Sequence, residues 1–79
     1  MNNFNGIISE LVRFHRKRSK LSQKQLAELA GVGKTAVFDV EKSKPTVRLA
    51  TLKHIFDALN IQIEFKSPLM QEWNKTRHA

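Results

Sequence analysis

On a helical projection of the run KTAVFDVEKSK, residues 34–44, Thr35, Phe38, Asp39 and Lys42 fall on one face at i, i+3, i+4 and i+7. Val37, Val40 and the stem of Glu41 fall on the other, so one face is core and the other is on offer to a partner. Two acid-free basic runs bracket this stretch: Arg13, Arg16, Lys17, Arg18, Lys20 and Lys24 before it, and Lys42, Lys44, Arg48 and Lys53 at its end and beyond. Fourteen Lys and Arg against seven acids leave a net charge of +7 and a pI near 10.3. That balance calls for a polyanionic partner or a reason to tolerate self-repulsion. The bland alternative is a set of solvated helix faces.

Bond-breaking chemistry is poorly supplied. His15, His54 and His78 are scattered, no two carboxylates share a helix face at a useful spacing, and no glycine-rich phosphate loop follows a strand. His15 is expected at the edge of the core. The chain has no cysteine, which rules out a disulfide framework and a thiolate zinc site, and no clustered ligands suggest another metal. Neither enzyme activity nor a cofactor is expected.

The elements that must position the basic face are helices. With 79 residues the chain supports one small domain, and such chains often gain stability by pairing with a copy. The opening MNNFNGIIS has no basic region leading into a long apolar run, and no segment reaches the roughly 18 apolar residues of a membrane span. A cytoplasmic protein is expected. Ile8, Leu11, Val12 and His15 predict a first helix over 7–18, starting after Asn5 and Gly6. Ser22 with Gln25 forms a capping box for a second, which Gly31 ends in a left-handed turn. The third helix follows almost at once and stops before Pro45. Leu49, Leu52, Ile55, Phe56 and Leu59 define a fourth over roughly 48–59, closed by Asn60.

A strand pattern then appears in an otherwise helical chain. In IQIEFK, residues 61–66, Ile61, Ile63 and Phe65 alternate with polar residues. A lone strand is a liability, so it is expected to pair with the same strand of a second chain. Residues 67–79 are either a flexible tail or a short helix with Ser67 as cap and Pro68 in its first turn.

Gln23, Leu26, Ala27, Ala30, Gly31, Val32, Val37, Val40 and Glu41 stand as in the helix-turn-helix of the Xre (Cro/C1-type) transcriptional regulators, and LxTLxxIxxALNI resembles the helix that follows there. The likeness covers about residues 8–61. Its physical logic agrees: Ala27 is small where two helices cross, Gly31 makes the tight turn, and Val37 and Val40 pin the third helix. The resemblance implies an all-α, four-helix lambda-repressor-like domain over residues 1–60, a strand at 61–66 that dimerises it, and a tail over 67–79. It implies a nucleoid-associated repressor that reads an inverted repeat in double-stranded DNA. Among such proteins, IQIEFK and the late Trp73 look most like HipB-type antitoxins, whose tail holds a HipA-like kinase toxin.

By position, the resemblance makes Lys34, Thr35, Phe38 and Asp39 base-reading residues. Lys34 can donate to guanine O6 and N7, Thr35 can bond a base edge or touch a thymine methyl, Asp39 can accept from cytosine N4, and Phe38 offers apolar contact. Gln23, Lys42, Lys44 and Arg48 are the expected phosphate contacts. Ile61, Ile63 and Phe65 would join the dimer, and Leu69 and Trp73 would hold the partner protein. Arg16 and Glu41 match positions that form an ion pair between the first helix and the end of the third. Three residues depart from the pattern. Gly33 removes a side-chain cap, Ser43 replaces a frequent glycine in a turn, and Leu29 stands where a polar residue is usual. The rival functions are a protein-binding adaptor that has kept the fold without using it on DNA, and a stand-alone phage-type repressor.

Overall fold

The computed structural model describes residues 3–77. Its helices are α1 (Phe4–Arg18), α2 (Gln23–Ala30), α3 (Lys34–Glu41), α4 (Leu49–Ala58) and α5 (Met70–Arg77). His78 and the outermost residues of the 1–60 and 67–79 segments lie outside the described residues. Among the described residues the helices number five rather than four, because the described part of the tail takes its helical alternative.

Local chemistry explains the boundaries. α1 starts three residues earlier than its apolar pattern suggests: the Ile7 N–H donates to the Asn3 carbonyl at 2.9 Å, which carries Gly6 inside the first turns. A Cβ on Gly6 would collide with the Asn3 side chain. His15, Arg16, Lys17 and Arg18 occupy the last turn, where cations complement the carbonyl end of the helix. At α2 both halves of the capping box form: the Gln25 N–H donates to Ser22 Oγ at 3.0 Å, and the Ser22 N–H donates to Gln25 Oε1 at 2.8 Å. Gly31 sits at φ +71°, and the Val32 N–H returns to the Ala27 carbonyl at 3.0 Å. Gly33 caps α3 without a side-chain bond. Ser43 is held at φ +62°, the left-handed turn where the family often places glycine.

Val12, Leu26, Val37 and Ile55 are fully buried where α1 to α4 meet, with Ala27, Val40, Phe56 and Leu59 around them. Each of the larger side chains contributes about 1.5 to 3 kcal/mol on removal from water. Ala27 is buried as the crossing of α2 and α3 requires. Leu49 does not join this core. It is 81% exposed in the first turn of α4, at the rim of a recess it lines with Phe4, Ile8 and Val40.

Residues 61–66 form no strand in the described chain. A ladder needs a second strand, and the described residues of a single copy contain none to supply it. Ile61 is half-buried, whereas Ile63 and Phe65 stand exposed. With Leu49 and Leu52 they line a groove of about 770 Å³. α5 follows with no buried residue at all. Among the described residues, no helix is long and apolar enough to cross a membrane.

Candidate nucleic-acid interface

The interface is built outward from one buried carboxylate. α3 turns Val37 and Val40 into the core, and this places Glu41, one residue further, beneath α1. Arg16 Nε donates to Glu41 Oε2 at 2.6 Å and Arg16 Nη2 to Oε1 at 3.0 Å. Gln23 Nε2, from the first turn of α2, donates to Oε1 at 3.1 Å. Arg16 Nη1 also donates to the Leu21 carbonyl at 2.8 Å, and Ser9 Oγ donates to the Glu41 carbonyl at 2.5 Å. The side chains of Arg16 and Glu41 are only 11% and 3% exposed. α1, the start of α2 and the end of α3 are thus fastened at one point, which sets the angle of α3.

Burial alone would push the Glu41 carboxyl up. The hydrogen bonds from Arg16 and Gln23, with the charges of Arg16 and Arg13, outweigh it and hold the group below its ordinary range. The hydrogen bond to Glu41 in turn raises Arg16, against the opposing effect of its own burial.

The outer face of α3 is open. Lys34, Thr35 and Phe38 are exposed and, with Gln23, line a recess of about 270 Å³ beside the start of α2. Lys42 holds its ammonium 5.2 Å from the Phe38 ring centroid, a cation–π contact that keeps the ring upright on the surface. Asp39 is half-buried, with Lys44 Nζ 3.7 Å from its carboxylate. Arg48 is exposed at the entry to α4.

Apart from Arg48 at the entry to α4, the candidate site residues fall into three places. Gln23, Lys34, Thr35, Phe38, Asp39, Lys42 and Lys44 are grouped on α3 and its flanks. Ile61, Ile63 and Phe65 border the groove along α4. Leu69 and Trp73 line a shallow apolar recess of about 550 Å³ with Phe65 and Met70, and the Arg77 guanidinium lies 4.7 Å from the Trp73 ring centroid. Sequence reasoning missed that Gln23 commits one amide N–H to Glu41, and it missed the pairing of Asp39 with Lys44. The i, i+4 spacing of Phe38 and Lys42 is a signal that was available. The Asp39–Lys44 pair depends on the left-handed Ser43 turn, which returns the Lys44 N–H to the Asp39 carbonyl at 3.0 Å. His15 sits at the core edge as expected, its Nδ1 2.7 Å from the Leu11 carbonyl oxygen.

Two short helices joined by a glycine turn, the second locked on its inner face and free on its outer one, define a helix-turn-helix unit. A helix-turn-helix family profile matches residues 12–66, and the chain belongs to this family of Cro/C1-type proteins. The chain is 36% identical over 61 residues to the uncharacterized HTH-type transcriptional regulator y4mF of Sinorhizobium fredii, covering 77% of this chain and 80% of that one. It is 40% identical over 57 residues to the control protein C.SmaI of Serratia marcescens, covering 72% and 68% respectively. It is also 34% identical over 56 residues to the immunity repressor protein of Bacillus phage phi105, spanning 71% of this chain but 39% of that longer one.

Proposed function

We propose that this DNA-binding transcriptional regulator is a homodimeric repressor that acts on an inverted-repeat operator, its own operon's among them, in the cytoplasm on the nucleoid. The observation that carries the reading is the outer face of α3: Lys34, Thr35 and Phe38 exposed beside the start of α2, on a helix locked from behind by Glu41 and Arg16. Residues 1–60 are the reading unit. Lys34, Thr35, Phe38 and Asp39 meet base edges in the major groove. Lys42, Lys44, Arg48 and the remaining N–H of the Gln23 amide meet phosphates, with the start of α2 contributing its helix end. Residues 61–66 of two copies pair about a two-fold axis and cover Ile61, Ile63 and Phe65, which one copy leaves open to water.

The tail, residues 67–79, holds a partner protein through Leu69 and Trp73. Its support is that Leu69 and Trp73 stand exposed on a helical tail with no fully buried residue in α5. On this reading the protein is a HipB-like antitoxin and the partner a HipA-like kinase toxin. The phage immunity repressor among its relatives favours a second reading, a stand-alone repressor whose tail has another use.

Selection of the full chain on a randomised duplex pool, followed by footprinting upstream of its own gene, tests the main reading. Two half-sites about one helical turn apart, roughly 34 Å, are expected, with affinity falling steeply as salt rises. Weak binding to all duplexes with no enriched inverted repeat would leave the adaptor function instead.

A further inference from the structure

α1 carries a second apolar stripe that the reading face does not use and that shares only Leu11 with the core. Its inner side sends Ile8 and Val12 into the bundle, while Ile7 and Phe14 point outward, 60% and 57% exposed, with half-buried Leu11 between them. The spacing of Ile7, Leu11 and Phe14 is i, i+4 and i+7, one continuous stripe along two turns. It floors a groove of about 610 Å³. Arg13, Lys17 and Arg18 wall this groove, against a single acid, Glu10. The Arg18 guanidinium lies 5.3 Å from the Phe14 ring centroid. At that distance the cation interacts with the ring face, and among the described residues no hydrogen bond or ion pair takes its N–H groups. Among the described residues, none of these three cations has a carboxylate within ion-pair distance, whereas Arg16, Lys44 and Lys53 each do.

We propose that this α1 groove docks an acidic amphipathic helix of a partner protein, its apolar residues on Ile7, Leu11 and Phe14 and its carboxylates on Arg13, Lys17 and Arg18. Charge selects this occupant over a second copy. Two α1 faces brought together would oppose six cations with two acids, a repulsive arrangement at close quarters. A helix bearing glutamates beside a leucine stripe instead satisfies both the apolar floor and the unpaired cations, and its three anchors match the groove repeat. The groove shares no lining residue with the recess of α3.

The test uses the full chain bound to a duplex, so that the DNA-reading face is already occupied. Two synthetic 15-residue helical peptides share a leucine stripe at i, i+4 and i+7; one is flanked by glutamates and the other by lysines. Amide chemical shifts of residues 7–18 should move with the glutamate peptide only. Phe14→Ser, and separately Arg13→Glu with Lys17→Glu, should each weaken it about tenfold or more, while DNA affinity of Phe14→Ser stays unchanged. The Phe14→Ser melting curve guards against a folding defect, and Ile7→Ser provides a second stripe variant should the first lose stability. Equal binding of the lysine peptide, shifts confined to residues 61–77, or no shift with either peptide overturns the proposal. So does Phe14-dependent binding to phosphatidylglycerol vesicles without binding to the glutamate peptide, which would make a lipid surface the occupant.

Discussion

Replacing Glu41 with glutamine probes the fastening of α3 with almost no change of volume. The carboxylate accepts from Arg16 Nε, Arg16 Nη2 and Gln23 Nε2. An amide keeps one oxygen, so it loses either the 2.6 Å bond or the two bonds to Oε1, and it presents an N–H to a donor. It also leaves the Arg16 ion, 11% exposed, without its counter-charge. Hydrogen bonds to charged groups contribute about 1.5 to 3 kcal/mol each, and removing one partner of a buried pair costs about 3 to 5 kcal/mol. An expected loss of about 2 to 4 kcal/mol follows for a pair that retains some solvent contact. In a domain of this size that lowers Tm by roughly 8 to 30 °C. The pH dependence supplies a second reading of the same bond. Glu41 titrates below its ordinary value of 4.5, so its stabilisation is present above that pH and is lost as pH falls through the depressed folded value. Calorimetric melts from pH 7 downward should therefore show the gap between wild type and Glu41→Gln narrowing as pH falls below 4.5. A variant melting within about 3 °C of wild type at pH 7 would refute the reasoning, leaving Val37 and Val40 alone to set the angle of α3.

Ile63→Asp should give monomers in analytical ultracentrifugation, because a carboxylate would be buried at the two-fold axis of the paired 61–66 segments; a dimer that persists removes that segment as the interface. Asp39→Ala should relax preference at one base pair by about 1 to 3 kcal/mol of discrimination, whereas Lys44→Ala should weaken all duplexes alike when both are measured on one randomised operator pool. Ser43→Gly should raise stability by about 0.5 to 1 kcal/mol in denaturant titrations, since glycine relieves the side-chain cost of φ +62° at the expense of some chain entropy. Deleting residues 67–79 should shift Tm by under roughly 3 °C because α5 buries no residue, and should abolish retention of the tail's partner in a pull-down.

What could be read in advance was whatever rests on local chemistry. Ser22 and Gln25 lie three residues apart and cap α2 as their types demand, Gly31 turns left-handed, and the Val37 and Val40 spacing puts α3 on the core. The Arg16–Glu41 pair, 25 residues apart, was reachable only through the family resemblance; no periodicity encodes it. Leu49 misled because a leucine at helical spacing says nothing of whether a neighbouring element reaches it. IQIEFK alternates like a strand, but alternation specifies a face and leaves the partner to supply the ladder. The outward stripe of α1 was hidden by the inward one: Leu11 belongs to both, and Ile7 and Phe14 had no signal of exposure beyond their place on the helix.

The meeting of three helices at Glu41 also bears on how the domain opens. A helix end that is tied only to itself frays one turn at a time, with little free energy. Here the last turn of α3 cannot lift without releasing Arg16, and Arg16 cannot leave without freeing the Leu21 carbonyl and the turn into α2. Amide protons of α2 and α3 should therefore exchange through one cooperative event that also loosens the end of α1. α5, which shares no such tie and has no buried residue, should exchange faster than they do. On these contacts the described residues divide into a four-helix head expected to open as a whole and an α5 expected to open apart from it.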